Sequence, residues 1–117
     1  MKKLRIEKDF VVQQQQLDET KALTLEVLVA ELSAANELVL ENITTSYDCK
    51  QTGYELQFIA NASLGETVVI RARIITFNGT KLQVKVSVFK QVNKKESCIA
   101  TAISSYTLRV KTMRIAS

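Results

Sequence analysis

From Leu56 to Ile74 the chain reads LQFIANASLGETVVIRARI. Apolar and polar residues alternate, the pattern breaks at Gly65, and the alternation then resumes. A period of two sends successive side chains to opposite faces, so the stretch predicts two half-buried strands joined through ASLGE. Tyr54, Leu56, Phe58, Ala60 and Ala62 share one face of the first, with Glu55, Gln57 and Asn61 on the other. Past Gly65, Val68, Ile70, Ala72 and Ile74 continue the apolar set against Arg71 and Arg73.

Working outward, Asn78-Gly79 is a strong hairpin signal, because both residues tolerate the left-handed backbone that a tight turn requires. Leu82, Val84, Val86 and Val88 then alternate with Gln83, Lys85 and Ser87. A second turn over Asn93–Glu96 leads into an alternating segment from Cys98 to Val110. Upstream, Leu4–Gln13 has the weaker alternation of a first strand.

Between these lies Ala22–Asn42, ALTLEVLVAELSAANELVLEN, rich in Ala and Leu and free of Gly and Pro. It is too long for an ordinary strand and predicts a helix. Asp18 or Thr20 suits its cap, and Asp18 and Glu19 complement its positive start. The polar TTSYDCKQTG reads as its exit. One helix among short-turned strands implies an α+β domain over residues 1–117, an antiparallel sheet curled around a single long helix.

Composition narrows the function. Sixteen Lys and Arg against 12 Asp and Glu give a net charge of +4, which suits a polyanion such as nucleic acid or a phosphate-rich cofactor. The basic residues are scattered and aromatics make up only 6%, whereas nucleic-acid binders cluster basic and stacking side chains. No nucleic-acid partner is expected. The start MKKLRIEKDF has no apolar run behind its basic pair, and no segment approaches the roughly 20 apolar residues of a membrane span. A cytoplasmic protein is expected, with Cys49 and Cys98 as free thiols rather than a disulfide.

With no His, Ser-His and Cys-His nucleophile systems are excluded, and a metal site is not expected. Neither a P-loop nor a Rossmann glycine pattern occurs.

At about 100° per residue, Glu26, Ser33, Asn36, Glu37 and Glu41 form a polar stripe on the helix. Glu31 stands about 140° from Glu26, beside Val27, Leu28, Ala35 and Leu38. An ionised carboxylate on a buried face must be paired, neutralised or turned to a cavity. Such acids are typical catalytic groups, and the plain alternative is an ion pair with a sheet Lys or Arg.

The element order, YELQFIANASLGETVVIRARI and LVAELSAANELV together resemble the hot-dog fold thioesterases, in which an antiparallel sheet wraps a central helix. Phe58–Glu66 resembles their F-x-x-P-a-x-x-G-[DE] phrase, with Asn61 inside it and Gly65 marking a crossing between two strands that pack on the helix. The resemblance is to the hydroxybenzoyl-CoA thioesterase branch in Val29-Ala30-Glu31, which matches a helix phrase carrying a catalytic glutamate. A second branch places an aspartate before the helix, and Asp18 matches half of that phrase without its glycine. The H-G-G usual at the helix start is replaced by Ala22-Leu23-Thr24, so a thioester carbonyl would meet bulky Leu23 and Thr24. Gln16 falls near the spacing of a polarising amide.

The resemblance implies an acyl-CoA thioesterase-like protein that hydrolyses or binds an acyl-CoA thioester. It implies Glu31 as base or nucleophile, Asp18 in reserve, and no cofactor beyond the coenzyme A of the substrate. Arg71, Arg73, Lys90, Lys94 and Lys95 are candidates for its phosphates. The resemblance also implies a homodimer or homotetramer with sheets joined edge to edge. Hydratase chemistry, which in this fold uses a His, is not expected. The alternatives are a non-catalytic hot-dog module for an acyl ligand or protein partner, and a different single-helix fold such as a cystatin-like lipid binder.

Overall fold

The structure, a computed structural model, describes residues 5–111. Leu4, the expected start of the first strand, lies outside them. The elements run β1 (Arg5–Val11), a 3-10 turn (Gln14–Gln16), α1 (Leu25–Leu40), β2 (Tyr47–Phe58), β3 (Thr67–Phe77), β4 (Lys81–Val92) and β5 (Lys95–Val110). The strands form one antiparallel sheet in the order β1-β3-β4-β5-β2.

The alternation read from the sequence sets the two faces. Ile6, Lys8 and Phe10 stand in register with Ala72, Ile70 and Val68. Those in turn pair with Val86, Val88 and Lys90 of β4. This is the inner face, and α1 packs on it over β1, β3 and β4. Leu28, Leu32, Ala35 and Val39, spaced three and four apart on the helix, are buried against Val68, Ile70, Ala72, Val84, Val86 and Val88. Burying one large aliphatic side chain is worth about 2 kcal/mol, so this interface holds the helix in place.

The turns follow local chemistry. Gly79 adopts φ +87°, and Asn78 Oδ1 accepts from the Thr80 and Lys81 amides at 3.1 and 2.8 Å. Between β4 and β5 the pair Asn93-Lys94 takes positive φ at both positions, the backbone twist that a two-residue hairpin needs.

Four expectations are corrected. The helix begins at Leu25, and its cap is Thr24, whose Oγ1 accepts from the Val27 amide at 3.3 Å. Asp18 and Thr20 cap no helix, because the chain between them and α1 makes two isolated bridges, Leu17 with Leu23 and Ala22 with Ser63. The supposed polar exit is the first half of β2, which starts at Tyr47. It lies at the sheet edge, where neither face need be apolar, and it is bulged between Gln51 and Gly53. Finally, β2 and β3 are not neighbours. β2 pairs with β5, residues 59–66 cross to β3, and Gly65 bends that crossing at φ +82°. The helix therefore packs on β3 but does not cover β2 in the way the expected crossing implied.

Candidate active site

The sequence-derived residues separate into three places. The first is the helix start. Thr24 N–H donates to the Gln16 carbonyl at 2.9 Å, and Leu23 N–H donates to the Ala62 carbonyl at 2.8 Å. Lys90 Nζ reaches the Asn61 carbonyl at 3.0 Å. Gln16, Leu23, Thr24, Asn61 and Lys90 are thus gathered where the segment before the helix meets the crossing from β2 to β3.

Their roles differ from those expected. The Leu23 side chain belongs to the core rather than to a ligand surface. Gln16 Oε1 accepts from the Gln13 amide at 2.8 Å and closes the 3-10 turn. Ala22 N–H donates to Asp18 Oδ1 at 3.2 Å, so all three N–H groups at the H-G-G positions have partners within the chain. The N–H groups of Leu25 and Glu26, in the first turn, have none among the described residues, as a helix start leaves its first donors unpaired.

Asp18 organises its own turn. Its Oδ1 accepts from Thr20 N–H at 2.8 Å and from Thr20 Oγ1 at 2.6 Å, besides Ala22 N–H. The Thr20 hydroxyl first, then the Ala22 amide, holds this exposed carboxyl below the usual carboxylate range. A carboxylate so stabilised is a poor base.

The second place is Glu31, two turns into α1. Its side chain is 24% exposed and sits on the β1 side of the helix, at the rim of the buried stripe. Lys8 Nζ, from the inner face of β1, lies 2.6 Å from Oε2. Oε2 is buried, and the Lys8 ammonium is its close charge partner. Glu31 is thus both the acid expected on the buried flank and a member of the ion pair posed as its alternative.

The third place is the outer face of the sheet, turned away from the helix. Arg71 donates from Nε to Glu7 at 2.9 Å and from both terminal nitrogens to Glu96 at 2.7 Å, lying over the Phe89 ring. Hydrogen bonds from Arg71 hold the Glu96 carboxyl below its ordinary range. Arg71 and Arg73 are therefore remote from Glu31 in face, and Arg71 is already taken by two carboxylates. Lys94 and Lys95 are exposed at the β4–β5 turn.

Sequence reasoning missed a cavity of about 470 Å³ on the other flank of the helix, between α1 and the β5–β2 wing. Ser33, Asn36, Glu37, Gln51, Tyr54, Ser104 and Tyr106 supply its polar groups. Asn36 Nδ2 donates to the Tyr106 hydroxyl at 2.7 Å, while Asn36 Oδ1 is buried without a donor. The available signal was Asn36 itself, a poor helix former placed mid-helix on the polar stripe. Its partner 70 residues away gave none. Among the described residues no His, Cys, Asp and Glu cluster could hold a metal ion, and no helix is long and apolar enough to cross a membrane.

No family model matches the sequence, and no curated protein does. Solved structures do match by shape. The chain is similar to smu.793 of Streptococcus mutans, bound to acetyl CoA, with TM-score 0.72 and 21% identity over 95% of this chain and 86% of that one. It is similar to an acyl-CoA hydrolase variant of Staphylococcus aureus at TM-score 0.78 and 12% identity, covering 90% of this chain but only 66% of the hydrolase. It is also similar to a 4-hydroxybenzoyl CoA thioesterase variant complexed with 4-hydroxybenzoyl CoA, at TM-score 0.71 and 11% identity over 92% and 91%. With one helix laid on a five-stranded antiparallel sheet in this order, the chain has the hot-dog fold.

Proposed function

We propose that the protein binds an acyl-CoA thioester and hydrolyses it with Glu31. The observation that carries the reading is Glu31, a carboxylate only 24% exposed on the helix flank with the Lys8 ammonium 2.6 Å from its Oε2, in a hot-dog fold similar to structures holding acetyl CoA and 4-hydroxybenzoyl CoA. In this mechanism the carboxylate takes a proton from water, whose oxygen attacks the thioester carbonyl carbon. The unpaired N–H groups of Leu25 and Glu26 are the donors nearest in sequence for the oxyanion. Collapse of the tetrahedral intermediate breaks the C–S bond and releases the thiolate, which takes a proton.

The working unit in this proposal is a dimer joined through β2. Two features support it. β2 is a 12-residue edge strand, and its inner-face Tyr54 and Phe58 are 49% and 45% exposed beside the uncovered wing. A long edge with apolar side chains invites pairing with a second copy. Cytoplasmic residence belongs to the same proposal, supported by two unbridged, half-buried cysteines.

A second reading, a binder of acyl ligands without turnover, is favoured by one specific observation. The N–H groups of Ala22, Leu23 and Thr24 are spent inside the chain. Hydrolysis of acyl-CoAs of varied length and aromatic character, compared with Glu31→Gln, separates the two. We expect turnover that falls about 100-fold or more in the variant while its melting curve is kept. Saturable acyl-CoA binding with no turnover in either protein establishes the second reading instead.

A further inference from the structure

Two neighbouring rows of charge cross the outer face of the sheet, and they are built differently. In the first, Glu7 of β1 pairs in register with Arg71 of β3, and Arg71 reaches over Phe89 to Glu96. Two carboxylates flank one guanidinium, so the row is compensated. In the second, Arg5 of β1 pairs with Arg73 of β3, and Arg73 pairs with Lys85 of β4. Three cations stand directly opposite one another on three adjacent strands.

Like charges in register destabilise a sheet, because paired side chains leave Cβ atoms only about 5 Å apart. Among the described residues no carboxylate pairs with Arg5, Arg73 or Lys85. The nearest acids on this face, Glu7 and Glu96, are held by Arg71. Glu55 lies in the same row but two strands beyond Lys85, past Ile103. The three cations also line a concavity of about 330 Å³, with Ser87 and Phe89 beside them and the Glu7–Arg71 pair at its other side. A repulsive row set around a hollow calls for an anion from outside the chain.

We propose that Arg5, Arg73 and Lys85 form an anion site on the outer face of the sheet for a ligand carrying two linked phosphates. Strands about 4.8 Å apart spread the three cations over about 10 Å, a span that one monophosphate does not bridge and a diphosphate does. The two guanidiniums offer paired N–H groups to phosphate oxygens, and the lysine adds a point charge. The Ser87 hydroxyl adds a donor. The site uses neither Glu31 nor the helix, so it stands or falls separately from thioester hydrolysis. Its ligand is either a free nucleoside diphosphate or the diphosphate of coenzyme A.

Calorimetric titration at low ionic strength with inorganic pyrophosphate tests it. We expect saturable binding at one site per chain, weakened about tenfold or more by Arg73→Ala and changed less than about twofold by Lys50→Ala on the β2 part of the same face. The Arg73→Ala protein should melt no lower than the parent without ligand, since it sheds a repulsion. Displacement of pyrophosphate by both ADP and coenzyme A supports diphosphate as the recognised chemistry. Displacement by only one supports the site and names its source. Absence of saturation, equal loss in Lys50→Ala, or orthophosphate binding as tightly as pyrophosphate overturns the proposal, as does competition by single-stranded DNA alone.

Discussion

The helix lies across two halves of one sheet and meets them on different terms. Over β1, β3 and β4 it is seated in a continuous apolar contact, with Leu32 and Val39 almost wholly buried, and its flank is closed by the Lys8–Glu31 pair. Toward β5 and β2 its flank is polar, it meets the sheet through the Asn36–Tyr106 hydrogen bond, and a cavity opens beyond. The same alternating strand grammar runs through both halves, so alternation alone does not say which inner face is covered. What separates them is the surface the helix offers each. Small and branched apolar residues face one wing, and Ser33, Asn36 and Glu37 face the other. The covered half, together with Ala100, Ala102, Tyr106 and Leu108 on the inner face of β5, forms the core of the single chain. The open half is left for something else, which we propose is a second copy.

That division predicts its largest effect in the covered half. Leu32→Ala should cost about 3 kcal/mol in urea unfolding, the usual range for a buried leucine lost from a tight core. Phe58→Ala removes a side chain of similar bulk that is 45% exposed, and at high dilution it should cost less than about 1 kcal/mol. At high protein concentration the order should narrow, because Phe58 then loses a contact in the assembly. Equal costs at every concentration would break the comparison and place β2 in the core of the lone chain.

The border between the halves should respond next. Tyr106→Phe removes the hydroxyl that accepts from Asn36 Nδ2 and leaves an amide whose Oδ1 already lacks a donor. A loss of about 1–2 kcal/mol is expected, and Asn36→Leu combined with Tyr106→Phe should cost less than the sum of the two single changes. Additive costs would mean that the bond does not join the helix to β5, and the open wing would then be independent of the helix.

The sequence displayed the two halves unequally, for physical reasons. The helix, the later strands and Glu31's place on the buried flank were all legible, because each follows from a period within one segment. The start of β2 was not, since an edge strand need bury neither face and so carries no apolar period. Strand order was hidden as well. The crossing over residues 59–66 leaves the same local pattern whether β2 lies beside β3 or beyond β4 and β5. The candidate site was legible in its acid and illegible in its donors. Nothing near Ala22-Leu23-Thr24 reveals that the Ala62 and Gln16 carbonyls take two of those three N–H groups. Asp18 was noted correctly as a capping residue but assigned to the helix, whereas its carboxylate caps the turn in front of it.

That turn yields the smallest prediction and the most selective one. It pins the chain before the helix to the covered half, through Ala22 and its bridge to Ser63. The native Asp18 carboxyl is held below its ordinary value by the Thr20 hydroxyl and the Ala22 amide. It therefore stays ionised in the folded chain at a pH where the unfolded chain has begun to take up the proton. Its contribution to stability is complete above the ordinary carboxylate range and is lost as pH falls through the lower native value. Asp18→Asn keeps an acceptor oxygen of the same shape and removes only the charge. The variant should be modestly less stable than the parent at neutral pH, and paired urea curves should converge as the solution is acidified. A gap that stays constant across that range would show that the turn is held by shape alone. The charge at residue 18 would then contribute nothing to fastening the helix start over the covered wing.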